Sequence, residues 1–175
     1  MKPKTILLLA LITITCTSMM CECDDKTTYE PQLPPETTTG ANTFGCLVNG
    51  KVWRNGGVGF PNLSLSLNTL RDSTLIIEAL RNNNETKDGF ALYITNNLIS
   101  EKKYILDSIN VFFYYSAYNI VNNNSCTYQK WGKGFIELTR FDLKNNIVSG
   151  RFEATLYNTE CDSIVITQGR FDLKK

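Results

Sequence analysis

The chain has 175 residues, with 18 basic and 17 acidic side chains and no histidine. That length suits one domain able to bury its own core, and the near-neutral charge excludes the basic footprint of a nucleic-acid binder. Without histidine the commonest general base, the usual metal ligand and every Ser-His or Cys-His arrangement are missing.

From the N-terminus, residues 1–15 read as an export signal. Lys2 and Lys4 precede an apolar run from Ile6 to Ile14, which is shorter than the roughly 20 residues a membrane-spanning helix needs. Removing the two lysines leaves 16 basic against 17 acidic groups, a net charge of −1. A cysteine directly after such a core resembles the lipobox of bacterial lipoproteins, where the new N-terminal cysteine carries acyl chains that anchor by about 0.8 kcal/mol per buried methylene. Two cysteines compete for that role. Cys16 follows the core directly, with Thr15 as an imperfect stand-in for the small residue the peptidase prefers. Cys21 follows the bulky Met20 but lies nearer the acidic cluster Glu22, Asp24, Asp25, which resembles the surface-export tag of Bacteroidota lipoproteins. Choosing Cys21 also leaves an even set, Cys23, Cys46, Cys126 and Cys161, in an oxidising compartment. Either choice predicts an outer-membrane, surface-exposed protein whose membrane partner is engaged through the N-terminal lipid. Residues 16–40, with Pro31, Pro34, Pro35 and Thr37 to Thr39, read as a flexible Pro/Thr-rich tether.

Residues 41–175 read as one β domain. In "CLVNGKVW", Asn49-Gly50 suits a tight hairpin turn. "NLSLSLNTL" alternates leucine with polar residues, and "TLIIEAL", "FALYIT", "KYIL" and "NVFFYYSAY" follow, separated by polar stretches. The last strands run through "GKGFIELTRFD", "NIVSGRFEATLYN" and "CDSIVITQGRFDLK". No segment carries a sustained helical repeat. The expectation is an all-β, antiparallel sandwich or flattened barrel of about ten strands in mostly meander order.

"RFDLK" occurs at Arg140 to Lys144 and again at Arg170 to Lys174. In a terminal meander, Phe141, Val148 and Phe171 would lie side by side, with Arg140, Ser149 and Arg170 on the other face beside Asp142 and Asp172. That face reads as an anion-binding stripe or, more plainly, as a solvated surface whose charges cancel. Glu137 would share a face with Phe141, so a bulge is expected near "FIELTRF".

The segments "LPPETTTGANTFGCLVNGKVW", "IELTRFDLKNNIVSGRFEATL" and "ITQGRFDLK" resemble a family of small Bacteroidota lipoproteins classed as a domain of unknown function. The likeness covers residues 33–175. It implies export, lipidation and a β-rich fold, and it carries over no catalytic residues. Cys46 lies in the family-like "TFGC" segment while Cys126 and Cys161 depart from the pattern, which makes Cys126 with Cys161 the disulfide the resemblance implies and leaves Cys46 a small buried hydrophobe.

The sharper chemistries have weak support. Glu78, Glu137, Glu153, Asp142 and Asp172 lie in or beside strands, but their spacing selects no acid-base pair. No Gly-x-Ser-x-Gly elbow or Ser-x-x-Lys box occurs. Asn82, Asn84, Glu85 and Asp88 before Gly89 offer oxygen ligands, yet miss the EF-hand spacing and read as a polar hairpin connection. Neither a metal nor a cofactor is expected. Trp53, Phe113, Tyr115, Tyr118, Tyr128 and Trp131 form either an aromatic binding surface for a glycan or an envelope protein, or the filling of a core. Ser73, Ser108 and Ser163 sit in Asp-Ser-x sequences that resemble O-glycan acceptors of exported Bacteroidota proteins. The expected function is that of a binding or structural module, not an enzyme. A carboxylate-dependent enzyme on envelope polysaccharide and a calycin-like barrel holding a small ligand are the alternatives.

Overall fold

The computed structural model describes residues 32–57, 62–68, 73–95, 98–107, 109–129 and 132–175. The export signal, Cys16, Cys21, Ser108 and Trp131 lie outside the described residues. Within them are twelve strands and no helix: β1 (Thr43–Val48), β2 (Lys51–Arg54), β3 (Gly56–Gly57), β4 (Leu63–Asn68), β5 (Thr74–Asn82), β6 (Thr86–Ile94), β7 (Lys102–Ile105), β8 (Val111–Asn119), β9 (Asn124–Gln129), β10 (Gly132–Asp142), β11 (Ile147–Leu156) and β12 (Ile164–Lys174). Sheet A has the order β2-β1-β12-β11-β10-β7. Sheet B has the order β3-β5-β6-β8-β9, with β4 also on β5. All pairings are antiparallel except the two-residue β3 on β5.

The sheets pack face to face as a sandwich and do not close on each other, so of the two expected architectures the sandwich holds and the closed barrel, on which the calycin-like reading depends, does not. The space between them is filled by side chains. Phe44, Trp53, Phe90, Phe113, Phe152 and Phe171 are each at most 2% exposed. Their rings interlock: Trp53 meets Phe90 edge-on at 4.8 Å, and Phe152 lies 5.1 Å from Phe44 and 5.6 Å from Phe113. Such contacts add to the burial of large apolar area that drives this packing.

The Asn49-Gly50 turn takes left-handed dihedrals at both residues, φ 49° and 78°, as the hairpin requires. Meander order holds for β4-β5-β6, for β8-β9 and for β10-β11-β12. It is broken where β7 crosses to sheet A beside β10 and where β12 closes on β1. The expected bulge is present between Leu138 and Arg140.

The register of the last hairpin differs from expectation. Phe141 opposes Val148 and Arg140 opposes Ser149, but Val148 then opposes Leu173, Ser149 opposes Asp172, and Arg170 opposes Arg151. The slip of two residues has two sources. The β11–β12 connection is one residue longer than a simple turn would make it, since Leu156 pairs with Ile164. A second residue enters at a bulge in β12, where Gln168 has a left-handed φ of 52°.

The tether also differs from expectation, because its described part, 32–40, lies against sheet A. Asp172, only 1% exposed, projects from the outer face of β12 and gathers this segment. It accepts hydrogen bonds from Thr37 Oγ1 (2.6 Å), the amides of Thr39 (3.0 Å), Gly40 (2.8 Å) and Ala41 (3.0 Å), and Ser149 Oγ (2.6 Å). Arginines of the same face complete the strap. Arg140 donates to Thr38 O, Arg170 to Pro34 O and Arg54 to Gln32 O, while Arg151 pairs with Glu36. Pro34 is buried over Gly45, where a Cβ would come within 2.6 Å of its Cδ. The supposed anion stripe is therefore occupied by the protein's own chain.

Candidate functional site

Along β8 the side chains alternate strictly. Val111, Phe113 and Tyr115 are buried between the sheets, and Phe112, Tyr114, Ser116 and Tyr118 stand half-buried on the outer face of sheet B. Register with β6 sets opposite them Tyr93, Ala91, Gly89 and Lys87 in turn. β5 adds Glu78, Leu80 and Asn82 on the far side. Small residues thus floor the middle of this face, and larger ones rise around it.

The result is an open trough of about 480 Å³ across β5, β6 and β8, lined by Glu78, Leu80, Lys87, Gly89, Tyr114 and Tyr118 among others. Leu80, 53% exposed, leans over Gly89, where a Cβ would come within 2.5 Å of its Cδ2. Tyr118 Oη donates to Asn123 Oδ1 at 2.7 Å, which fixes its ring. Glu78 accepts from Ser64 Oγ at 2.9 Å. Beyond Tyr114 the aromatic surface continues in a stacked pair, Tyr93 and Phe112, with centroids 4.4 Å apart and planes 13° from parallel. Partial burial pushes the Tyr93 hydroxyl above its ordinary pKa, and the nearby Glu78 and Tyr114 add to that.

Behind the trough floor lies a buried polar cluster. Asp88 of β6 points inward and is 6% exposed. It accepts from Arg81 Nε (2.9 Å) and NH2 (2.6 Å), from Tyr115 Oη (3.0 Å) and, across the sandwich, from Trp53 Nε1 of sheet A (2.9 Å). Burial and the neighbouring carboxylate push the Tyr115 hydroxyl well above its ordinary range. The Cys46 thiol, unpaired and buried, is pushed up to about 12 by burial, against a smaller opposing effect of Arg81. A thiol held protonated in this way is a weak nucleophile.

Of the expected aromatic surface, Trp53, Tyr115 and Tyr128 are buried, at 1%, 6% and 4% exposure, and so is Phe113. Among the members of that set that are described, Tyr118 alone reaches the outer face; Trp131 lies outside the described residues. Trp53, Tyr115 and Tyr128 can be core because their polar ends find acceptors: the buried Asp88 for Trp53 and Tyr115, and, at the edge of the core, the Asp162 carbonyl for Tyr128. Tyr93, Phe112 and Tyr114, outside the expected set, stand on the outer face. The alternation of "VFFYYSAY" against its neighbours carries that signal once the inward face is known.

The remaining candidates are dispersed. Asp88 is turned away from Asn84 and Glu85, and no cluster of three or more acidic or cysteine side chains with metal-binding spacing occurs among the described residues. Asp142 is held well below the usual carboxylate range by the Asn145 side chain and Arg140. Cys126 of β9 is disulfide-bonded to Cys161 in the β11–β12 connection, with Cα atoms 6.3 Å apart, joining sheet B to sheet A. Ser163 is exposed in that connection, whereas Ser73 is half-buried with a left-handed backbone. In comparisons with family models, curated proteins and solved structures, nothing matches this chain.

Proposed function

We propose that the protein is an exported, lipid-anchored domain of the bacterial envelope, held at the outer-membrane surface through Cys16 or Cys21. It works there as a binding module, and the trough on sheet B is its ligand face. The single observation that carries the binding reading is the trough itself, an open face on which Tyr114 and the hydrogen-bonded Tyr118 stand on either side of Ser116. A monomer rarely leaves such a patch without a use for it. The lipid anchor is supported by the sequence from Met1 to Asp25 and by the resemblance to small Bacteroidota lipoproteins. A non-catalytic role is supported by the lack of histidine and of any recognisable nucleophile motif.

Intact-mass spectrometry of the protein extracted from membranes tests the address. The expected species starts at Cys16 or Cys21 and carries acyl chains. Recovery of an unmodified chain in the soluble fraction would refute the anchor. Binding is tested by retention of envelope components on the immobilised protein: loss of retention in Tyr114→Ala is the expected result, and retention that ignores that change would remove the trough from the proposal.

A further inference from the structure

We infer that the ligand of the trough is an uncharged oligosaccharide chain lying along β8, with Tyr114 and Tyr118 as stacking platforms and Glu78 and Lys87 as the groups that meet its hydroxyls. This rests on the reading of the trough as the ligand face and adds the chemical class of what fills it.

The backbone removes one mode of recognition. Beneath the trough β5 pairs with β4 and β6, β6 with β5 and β8, and β8 with β6 and β9. Their amides and carbonyls are used in the sheet, so no edge is offered on which a peptide could add as a strand. Recognition falls to side chains alone.

The side chains narrow it further. Tyr114 and Tyr118 stand on the same face of β8, separated by Ser116, which sets them roughly 13 Å apart along the strand. That spacing suits a ligand longer than one ring, touching two platforms and passing over the small residue between. Leu80 covers Gly89 on the β5 side, and between the two tyrosines Ser116 is the small residue left at the surface of β8, so a flat molecule can pass from one ring to the other without meeting a large side chain on that strand. Pyranose rings offer such a surface: one C–H face to stack on an aromatic ring and equatorial hydroxyls at the rim.

Charge separates this class from its competitors. Arg81 and Asp88, which also line the trough, neutralise each other in an ion pair whose arginine side chain is 32% exposed; the other titratable groups of the lining are Glu78, Lys87 and the two tyrosines. One carboxylate and one ammonium balance, so an anionic polymer meets Glu78 and a cationic one meets Lys87. Hydroxyl groups answer both, donating to the carboxylate and accepting from the ammonium. A hydrocarbon chain would cover these two charged groups and give them nothing in return.

The test uses the full-length protein in detergent and immobilised polysaccharides: neutral glucan, mannan and galactan beside the anionic polygalacturonate and dextran sulfate. Retention on at least one neutral polymer, with Kd raised about tenfold by Tyr114→Ala or Tyr118→Ala and much less by Tyr118→Phe, is the expected result; tenfold corresponds to about 1.4 kcal/mol. Unchanged melting temperatures of the variants show that the fold is intact. Preference for the anionic polymers, or neutral binding that ignores both tyrosines, overturns the ligand class. If all five polymers fail while an envelope component is still retained in a Tyr114-dependent manner, the ligand class falls and the trough stands as the ligand face. If nothing at all is retained, both fall.

Discussion

Asp172 and Asp88 are both buried carboxylates, and each is satisfied by donors from other elements, some of them far away in sequence. For Asp172, burial alone would raise the pKa, but the hydroxyls of Ser149 and Thr37 and the amides of Ala41 and Gly40 outweigh it and hold the group at about 2. A carboxylate depressed in this way adds stability that is complete above its unfolded pKa and is lost as the pH falls through the folded value. The shift from 3.8 to about 2 corresponds to about 2 kcal/mol, lost between roughly pH 4 and pH 2. Asp172→Asn is expected to cost about 2–4 kcal/mol at neutral pH, since it turns donors toward donors. It is also expected to flatten the acid limb of melting temperature against pH; an unchanged limb would deny Asp172 this role. For Asp88 the informative change is Trp53→Phe. It removes the one donor that comes from the opposite sheet and is expected to cost about 1–3 kcal/mol in denaturant unfolding. Neither aspartate announces its burial in the sequence: Asp88 sits in a polar run, Asp172 alternates with Phe171 and Leu173 as a solvent-facing residue of a strand would, and the donors that make each position tolerable come from other elements.

Among the elements, β1 shows how a glycine serves a neighbour instead of its own strand. Gly45 gives Pro34 a place to lie, and Gly45→Ala would push its Cβ to 2.6 Å from the proline ring. The expected result is a loss of about 1–3 kcal/mol and protease cleavage within 32–41, with the trough of sheet B unaffected. The Cys126–Cys161 bond closes a span of 35 residues, and replacing both cysteines by serine is expected to cost about 3–4 kcal/mol by the chain-entropy estimate. β8 and β9 show where sequence reading reached its limit. The period of β8 was legible, but both of its faces are aromatic, and which one is wet depends on β6 and β9 beside it. β9 itself was passed over: "NSCTYQ" is short and half polar, and its pairing with β8 is what makes it a strand.

At the scale of the molecule, two sheets share one aromatic core, and Phe152 sits at its centre, in contact range of Phe44, Phe90, Phe113 and Phe171. Phe152→Ala is expected to cost about 3–5 kcal/mol in urea unfolding, because surrounding rings on both sheets are too constrained to collapse into the gap. The all-β class and most strands were legible, since alternation of period two is a local property of each segment. What was not legible depends on sums over the chain. The two-residue slip in the last hairpin comes from a longer turn and a bulge acting together, and the placing of β12 beside β1 joins the two ends of the domain. The site shares that limit: Tyr118 was named from its chemistry, while Tyr93, Phe112 and Tyr114 needed the inward face to be known.

The strap shortens the leash. On the lipid-anchor proposal, a tether free as far as Gly40 would leave 24 residues after Cys16, a contour of roughly 80 Å at about 3.3 Å per residue. With the chain fastened from Gln32 onward, only residues 17–31 remain, roughly 50 Å, or roughly 33 Å if Cys21 carries the lipid. Any drag on the domain through its N-terminus would then reach the contacts of residues 32–41 with the arginines and Asp172 of sheet A before it reached β1.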